Sequence, residues 1–234
     1  MTRQISVIGH RGWRGRHPDN SLLGLVAAAA VCDAVEVDVR RSADGKLVLA
    51  HDSSIGGLTV TTTPWSVLAE VELGGGARPC LLDEALAALP GTPVLIEIKN
   101  APGERGYEPD HRLGLEAAAM SRPSDVLISF NWATIDSVRT TFPDVHTGLN
   151  VGILGNLDDA IQHCREGGHG YLMPDADLVL ARAEPLSDGI DLAVWSSRQV
   201  ETDERSLGEL VSKGVWGIIT DDPPNTIDLL RSLT

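Results

Sequence analysis

The chain has 234 residues, 33 of them acidic and 19 basic, for a formal net charge of −14 at pH 7. No basic stripe offers counterion release, which excludes a free nucleic acid as partner. The apolar share is that of a globular protein with a sizeable core, and the main apolar run, 26–31, is too short to span a bilayer.

Cys32, Cys80 and Cys164 are odd in number and scattered, with no Cys-x-x-Cys spacing. They argue against a disulfide framework or zinc ribbon and read as reduced, mostly buried thiols. The N-terminus reaches Ile5-Ser6-Val7-Ile8 with no signal-like apolar run, so a cytoplasmic protein is expected.

In chain order, 5–9 reads as a short strand ending at His10-Arg11-Gly12. A polar loop follows, and Asn20 or Ser21 can cap an Ala-rich helix running to about Cys32. Segment 34–39 is rich in β-branched residues and reads as a strand. Side chains alternate along a strand, so Glu36 and Asp38 share one face and Val35, Val37 and Val39 the other. Two like charges on one face resist burial unless a cation joins them. Asp44-Gly45 reads as the two-residue loop of a hairpin, which pairs Ala43 with Lys46 and puts His51 opposite Asp38.

Segment 53–79 reads as a lid-like insertion with a short helical piece near 64–70. Beyond it, strands are expected at 93–99, 126–130, 145–151, 170–173, 192–195 and 215–220. Helices are expected at 81–89, 112–120, 132–141, 157–166 and 203–213, with a last one after Pro223-Pro224. Eight strands alternating with helices, with no linker or repeat, predict one domain over 1–234: a (β/α)8 TIM barrel carrying a β-hairpin after its second strand. An open doubly wound sheet lacks support, because no Gly-x-Gly-x-x-Gly follows the first strand.

In such a barrel, chemistry collects at the carboxyl ends of the strands. His10 and Arg11, Glu36 and Asp38, His51, and Glu97 and Lys99 all fall there. Three carboxylates suit a hard divalent cation, Mg2+ or Ca2+. Arg11 and Lys99 suit a phosphate, and two histidines suit acid-base work near neutral pH. Together they predict metal-assisted cleavage of a phosphate ester. Trp195, at a strand end, is the best aromatic candidate for the substrate rim; Trp132 and Trp216 read as core. His17, His111, His146, His163 and His169 have no partners in sequence and read as surface or loop histidines.

The ordered set His10-Arg11-Gly12, Pro18-Asp19-Asn20-Ser21, Glu36-Val37-Asp38-Val39, Asp44-Gly45, His51-Asp52 and Glu97-Ile98-Lys99 resembles the motifs of the glycerophosphodiester phosphodiesterases. Ser129-Phe130, Trp195 and Gly217-Ile218-Ile219-Thr220-Asp221-Asp222-Pro223 extend the likeness over nearly the whole chain. The resemblance implies a TIM barrel that hydrolyses glycerophosphodiesters to glycerol 3-phosphate and an alcohol. It implies His10 and His51 as acid and base, Glu36, Asp38 and Glu97 on one divalent cation, and Arg11 and Lys99 on the phosphate. Analogy with related phosphodiesterases favours His10 as base and His51 as acid, through a cyclic phosphate. The chain departs from the family at Asp19 and Ser21, at Ser53–Gly57 and after Trp195, which touches the rim and bears on substrate choice. A lysophospholipase D or sphingomyelinase D-like lipid enzyme, and a barrel that binds a phosphodiester without cleaving it, are the competing expectations. Neither the alcohol nor the oligomeric state is legible.

Overall fold

Eight parallel strands close on themselves: Ser6–Gly9, Ala34–Arg41, Val94–Ile98, Val126–Ser129, His146–Val151, Tyr171–Pro174, Asp191–Val194 and Gly217–Thr220. The first strand pairs with both the second and the last, so the sheet has no free barrel edge. The computed structural model describes residues 5–185 and 189–233. A helix follows each strand, from Leu22–Ala29 after the first to Pro223–Ser232 after the last. This is the expected TIM barrel.

Strand alternation sorts the core into two. Val35, Val37 and Val39 face outward into the layer between sheet and helices, with Ile96, Ile98 and Leu127. Ile8, Ala34, Leu95, Ile128, Met173, Ala193 and Ile219 plug the interior. Full burial of each Ile, Leu or Met side chain is worth about 1.5–3 kcal/mol, and the plug closes the barrel below the mouth. Two residues on from six of these seven plug residues are His10, Glu36, Glu97, Phe130, Trp195 and Asp221, and all six line one cavity. Trp132 packs against the outer layer and Trp216 against the interior plug, both half-buried.

The hairpin after the second strand is present, but its register differs from the expected one. Val39 faces Leu49, Arg40 faces Val48 and Arg41 faces Leu47. The loop is therefore the three residues Ala43-Asp44-Gly45, with Gly45 left-handed at φ 83°. Side chains select it: Ser42 Oγ accepts from Lys46 N at 2.9 Å and donates to Asp44 Oδ1 at 2.7 Å. The slip of one residue puts Ala50 opposite Asp38, with Ala50 N donating to Asp38 O at 2.9 Å. His51 lies one step beyond and leaves the ladder, its carbonyl accepting from Arg40 Nε at 2.9 Å.

The 53–79 insertion packs beside this hairpin as a small annex. It holds a two-residue ribbon (Ser54–Ile55 with Leu58–Thr59), a 3-10 turn and the short helix Trp65–Leu68. Its Ile55, Val60 and Leu68 bury against Val48 and Ala50. None of its residues lines the cavity at the barrel mouth. The three cysteines are free thiols. Among the described residues, no helix is long and apolar enough to cross a membrane.

Candidate active site

The mouth is assembled on the carboxyl ends of neighbouring strands. The second and third barrel strands run in parallel register with Asp38 beside Glu97, so Glu36, Asp38 and Glu97 share the inward face. All three are buried, with one oxygen of each lying within 4.8 Å of the others. Lys99 continues the third strand by one inward step. Its Nζ lies 2.9 Å from Asp38 Oδ1 and also contacts Glu97 Oε1.

Arg11 approaches from the first strand. A left-handed turn at Arg11 (φ 51°) and Gly12 (φ 86°) folds the chain back over the next helix. A Cβ at Gly12 would stand 2.7 Å from the backbone of Gly24, so only glycine fits. The turn aims Arg11 N at Glu36 Oε2 (3.0 Å), while Arg11 Nε lies 3.2 Å from Asp38 Oδ2. Asn20, left-handed at φ 56°, grips Asp38 twice: Nδ2 donates to Oδ2 at 2.9 Å, and Oδ1 accepts from Asp38 N at 3.0 Å. Ser21 alone caps the helix, accepting from Gly24 N at 3.2 Å. The sequence left Asn20 and Ser21 as equal cap candidates; Asn20 instead serves the carboxylate centre.

Burial, with Asp38 and Glu97 close by, pushes the Glu36 carboxyl well above its ordinary range against Arg11 and Lys99. Glu97 is pushed the same way by burial, with Lys99 opposing and Asp38 adding. Burial also acts upward on Asp38, but Lys99, Arg11 and His51 outweigh it and hold that carboxyl low. One oxygen, Glu36 Oε1, is buried with no hydrogen-bond partner. A buried carboxylate oxygen left unpaired is costly, and a cation is the partner that removes the cost. Three hard oxygen donors with an orphaned lone pair therefore fit a metal ion.

The two histidines flank this centre. His10 Nδ1 lies 2.6 Å from Asp221 Oδ1, on the last strand's extension. Arg14 Nη1 donates to Asp221 Oδ2 at 3.0 Å. A carboxylate only accepts, so Nδ1 carries a proton towards Asp221, and Nε2 is the ring nitrogen that Asp221 does not engage. His51 Nδ1 lies 2.8 Å from Asp52 Oδ1, the same wiring in a more exposed setting. Burial lowers the His51 pKa, with Lys99 and Arg11 adding to the effect and Asp38 opposing it.

The cavity over the centre has a volume of about 440 Å3. His10, Arg11, Glu36, His51, Glu97, Lys99 and Trp195 all line it, and Asp38 lies buried behind Arg11 and Lys99. The eight residues singled out from sequence thus come together. Trp195 is held by Nε1 donating to Met173 O at 3.0 Å and meets Phe130 edge-to-face at 5.7 Å, forming an aromatic wall. Asn150 also lines the cavity, and its Oδ1 is buried without a partner. The roles of Phe130, Asn150 and Asp221 were not read from the sequence. The inward step of two residues, applied to every strand as it was to Glu36 and Asp38, would have found them.

His163 and His169 depart from the surface reading. His169 is buried, and both rings hydrogen-bond Asp136 on the outer helices.

A TIM barrel whose mouth gathers a buried carboxylate centre, two cationic side chains and two aspartate-paired imidazoles has the make-up of an enzyme site. The model of the Glycerophosphoryl diester phosphodiesterase family matches residues 10–225, and the chain belongs to that family. By that membership it is a phosphoric diester hydrolase. The Glycerophosphodiester phosphodiesterase of Caldanaerobacter subterraneus is 24% identical over 96% of this chain and 97% of its own length. A glycerophosphodiester phosphodiesterase from Parabacteroides distasonis superposes with a TM-score of 0.81 at 23% identity, covering 99% of each chain. An Oleispira antarctica phosphodiesterase, solved with its product sn-glycerol-3-phosphate, superposes with a TM-score of 0.76 at 21% identity, covering 97% of this chain and 96% of its own. These structures share the fold.

Proposed function

We propose that the chain, acting as one domain over 1–234, hydrolyses glycerophosphodiesters to glycerol 3-phosphate and an alcohol with the help of a divalent cation, Mg2+ or Ca2+. The observation that carries this reading is the buried triad Glu36, Asp38 and Glu97, with Glu36 Oε1 unpartnered and two cationic side chains and two histidines around it. The family match and the Oleispira antarctica enzyme's product support the same substrate class. Three free thiols agree with a reducing, cytoplasmic setting.

Glu36, Asp38 and Glu97 would hold the cation. When bound, it supplies positive charge against the phosphorus centre and eases ionisation of the attacking hydroxyl. Arg11 and Lys99 orient the phosphate and balance charge as it grows. His10 Nε2 takes the proton of the glycerol hydroxyl next to the ester carbon, and Asp221 steadies the imidazolium that forms. The freed oxygen attacks phosphorus, an intramolecular step with the advantage of proximity. The bond to the alcohol breaks, and His51 protonates the departing oxygen. The cyclic phosphate is then opened by water: His51 takes the water proton, and His10 returns its own to the ring oxygen. Asn150 Oδ1 accepts from a glycerol hydroxyl, and the Phe130–Trp195 wall packs on the carbon skeleton.

A release assay over a panel of glycerophosphodiesters, with Mg2+, Ca2+ or chelator, tests the reading. Glycerol 3-phosphate should appear only with the cation. Binding of the diester without release of any alcohol would overturn it in favour of a non-catalytic barrel.

A further inference from the structure

A second cluster of ligating side chains lies away from the mouth, on the outer helices. Asp136 comes from helix Trp132–Thr141, His163 from helix Leu157–Gly167, and His169 from the segment leading into strand Tyr171–Pro174. None has a part in the chemistry above. His163 Nε2 and His169 Nε2 lie 2.9 and 3.0 Å from the same oxygen, Asp136 Oδ1. One ligand atom from each residue lies within 4.8 Å of the others.

We propose that Asp136, His163 and His169 form a second metal site, one for a Zn2+-class transition metal. Two imidazole nitrogens and one carboxylate oxygen suit Zn2+, Co2+ or Ni2+, whereas the all-oxygen mouth suits Mg2+ or Ca2+. The two sites therefore differ in the cation they select.

Three features beyond ligand identity support the assignment. The first is the setting of His169. Its side chain is fully buried, and its Nδ1 lies 2.9 Å from Thr147 Oγ1. A ligating imidazole is held in this way by a partner on its second nitrogen.

The second is Gly167. A Cβ there would stand 2.5 Å from His169 Nε2. Gly167 ends the helix without a positive φ, so the backbone does not call for glycine, a poor helix former. Clearance for the ring and its Nε2 does.

The third is room on the open side. A cavity of about 280 Å3 is lined by Asp136, Arg139, Thr140, His163 and Glu166. It admits water as a fourth ligand. Arg139 is the opposing charge, and Glu166 offsets it. The His163 and His169 rings are parallel to within 5° and present Nε2 to one point. A metal here would clasp two outer helices to the barrel wall.

Without a metal, the same three residues can form a hydrogen-bonded network in which both rings donate to Asp136. The experiment separates the two. The full chain, saturated with Mg2+ to fill the mouth, is titrated with Zn2+ by calorimetry and with Co2+ by d–d absorption. One equivalent of each should bind. His163→Ala should lose at least ~10²-fold in Zn2+ affinity, since even the outer partners of a metal ligand are worth 10–100-fold. Its turnover in Mg2+ should be unchanged. Gly167→Ala keeps every ligand and should also weaken binding. Should His163→Ala not fold, the imidazole proton resonances of the wild type decide: Zn2+ must perturb those of His163 and His169. Wild type that takes up no more Zn2+ than His163→Ala, or rings left unperturbed, would show a hydrogen-bond network only and overturn the proposal.

Discussion

His10 and Asp221 are 211 positions apart in sequence and 2.6 Å apart in space. They meet because the first and last strands pair, with Gly9 beside Thr220 one residue before each. Barrel closure therefore builds the contact that fixes which nitrogen of His10 is engaged by Asp221. Asp221→Asn should keep the fold and reverse the tautomer, because an amide can donate to Nδ1. Turnover should fall by at least ~10²-fold, the scale of general acid-base catalysis, with KM and melting temperature little changed. Steady-state kinetics beside a thermal melt check this, and a variant with full kcat would remove Asp221 from the mechanism.

Asn20 makes two hydrogen bonds to Asp38 in a left-handed conformation that few residues adopt. Asn20→Leu removes both bonds and strains the turn. It should destabilise the protein by about 2–4 kcal/mol, from unpaired buried groups and backbone strain. It should also weaken cation activation about 10–100-fold, because Asp38 loses its support. Denaturant unfolding and a Mg2+ dependence of rate measure the two effects separately.

The hairpin turn offers a test of position. Asp44 Oδ1 accepts from both Ser42 Oγ and Trp65 N, tying the turn to the annex. Deleting Asp44 shortens a loop whose length sets the register. The His51 arm should shift, and the rate should fall by at least ~10²-fold while circular dichroism still reports a folded barrel. Wild-type turnover in the deletion would show that the hairpin does not place His51.

Glu201 gives a pH prediction. It is buried on the 3-10 turn Val200–Thr202, and its Oε2 has no hydrogen-bond partner. Burial, with Asp221 adding, pushes its pKa up to about 7 from 4.5. The folded state then binds a proton that the unfolded state has already released. Stability from this group is complete below pH 4.5 and is lost as pH rises to 7. The loss is on the order of 3 kcal/mol at most. Glu201→Gln should flatten that slope and raise the melting temperature at pH 8 by several degrees. Equal melting temperatures of the two proteins across this range would contradict the assignment.

Local pattern carried much of this structure. Alternating valines placed Glu36 and Asp38 on one face, and parallel register did the rest by setting Glu97 beside them. Helices 112–120 and 132–141 fall where periodicity put them. The hairpin register escaped because Asp-Gly favours a two-residue loop, whereas the Ser42 hydroxyl selects three. Asn20 looked like a cap because its partner, Asp38, is long-range. His169 looked exposed because only the fold brings Thr147 and Asp136 to its ring. The last two misses involve contacts between residues that chain order does not bring together, whereas the hairpin turned on a local side-chain contact.

The pairing of first and last strands also bears on synthesis. A growing chain presents its three carboxylates and His51 long before Gly217–Thr220 exists. The partner of His10 arrives with the final strand, and until then the ring has no fixed tautomer. Catalytic competence would therefore be switched on late, by the same event that seals the barrel, so a nascent chain stalled before that strand would hold a carboxylate centre but no oriented His10.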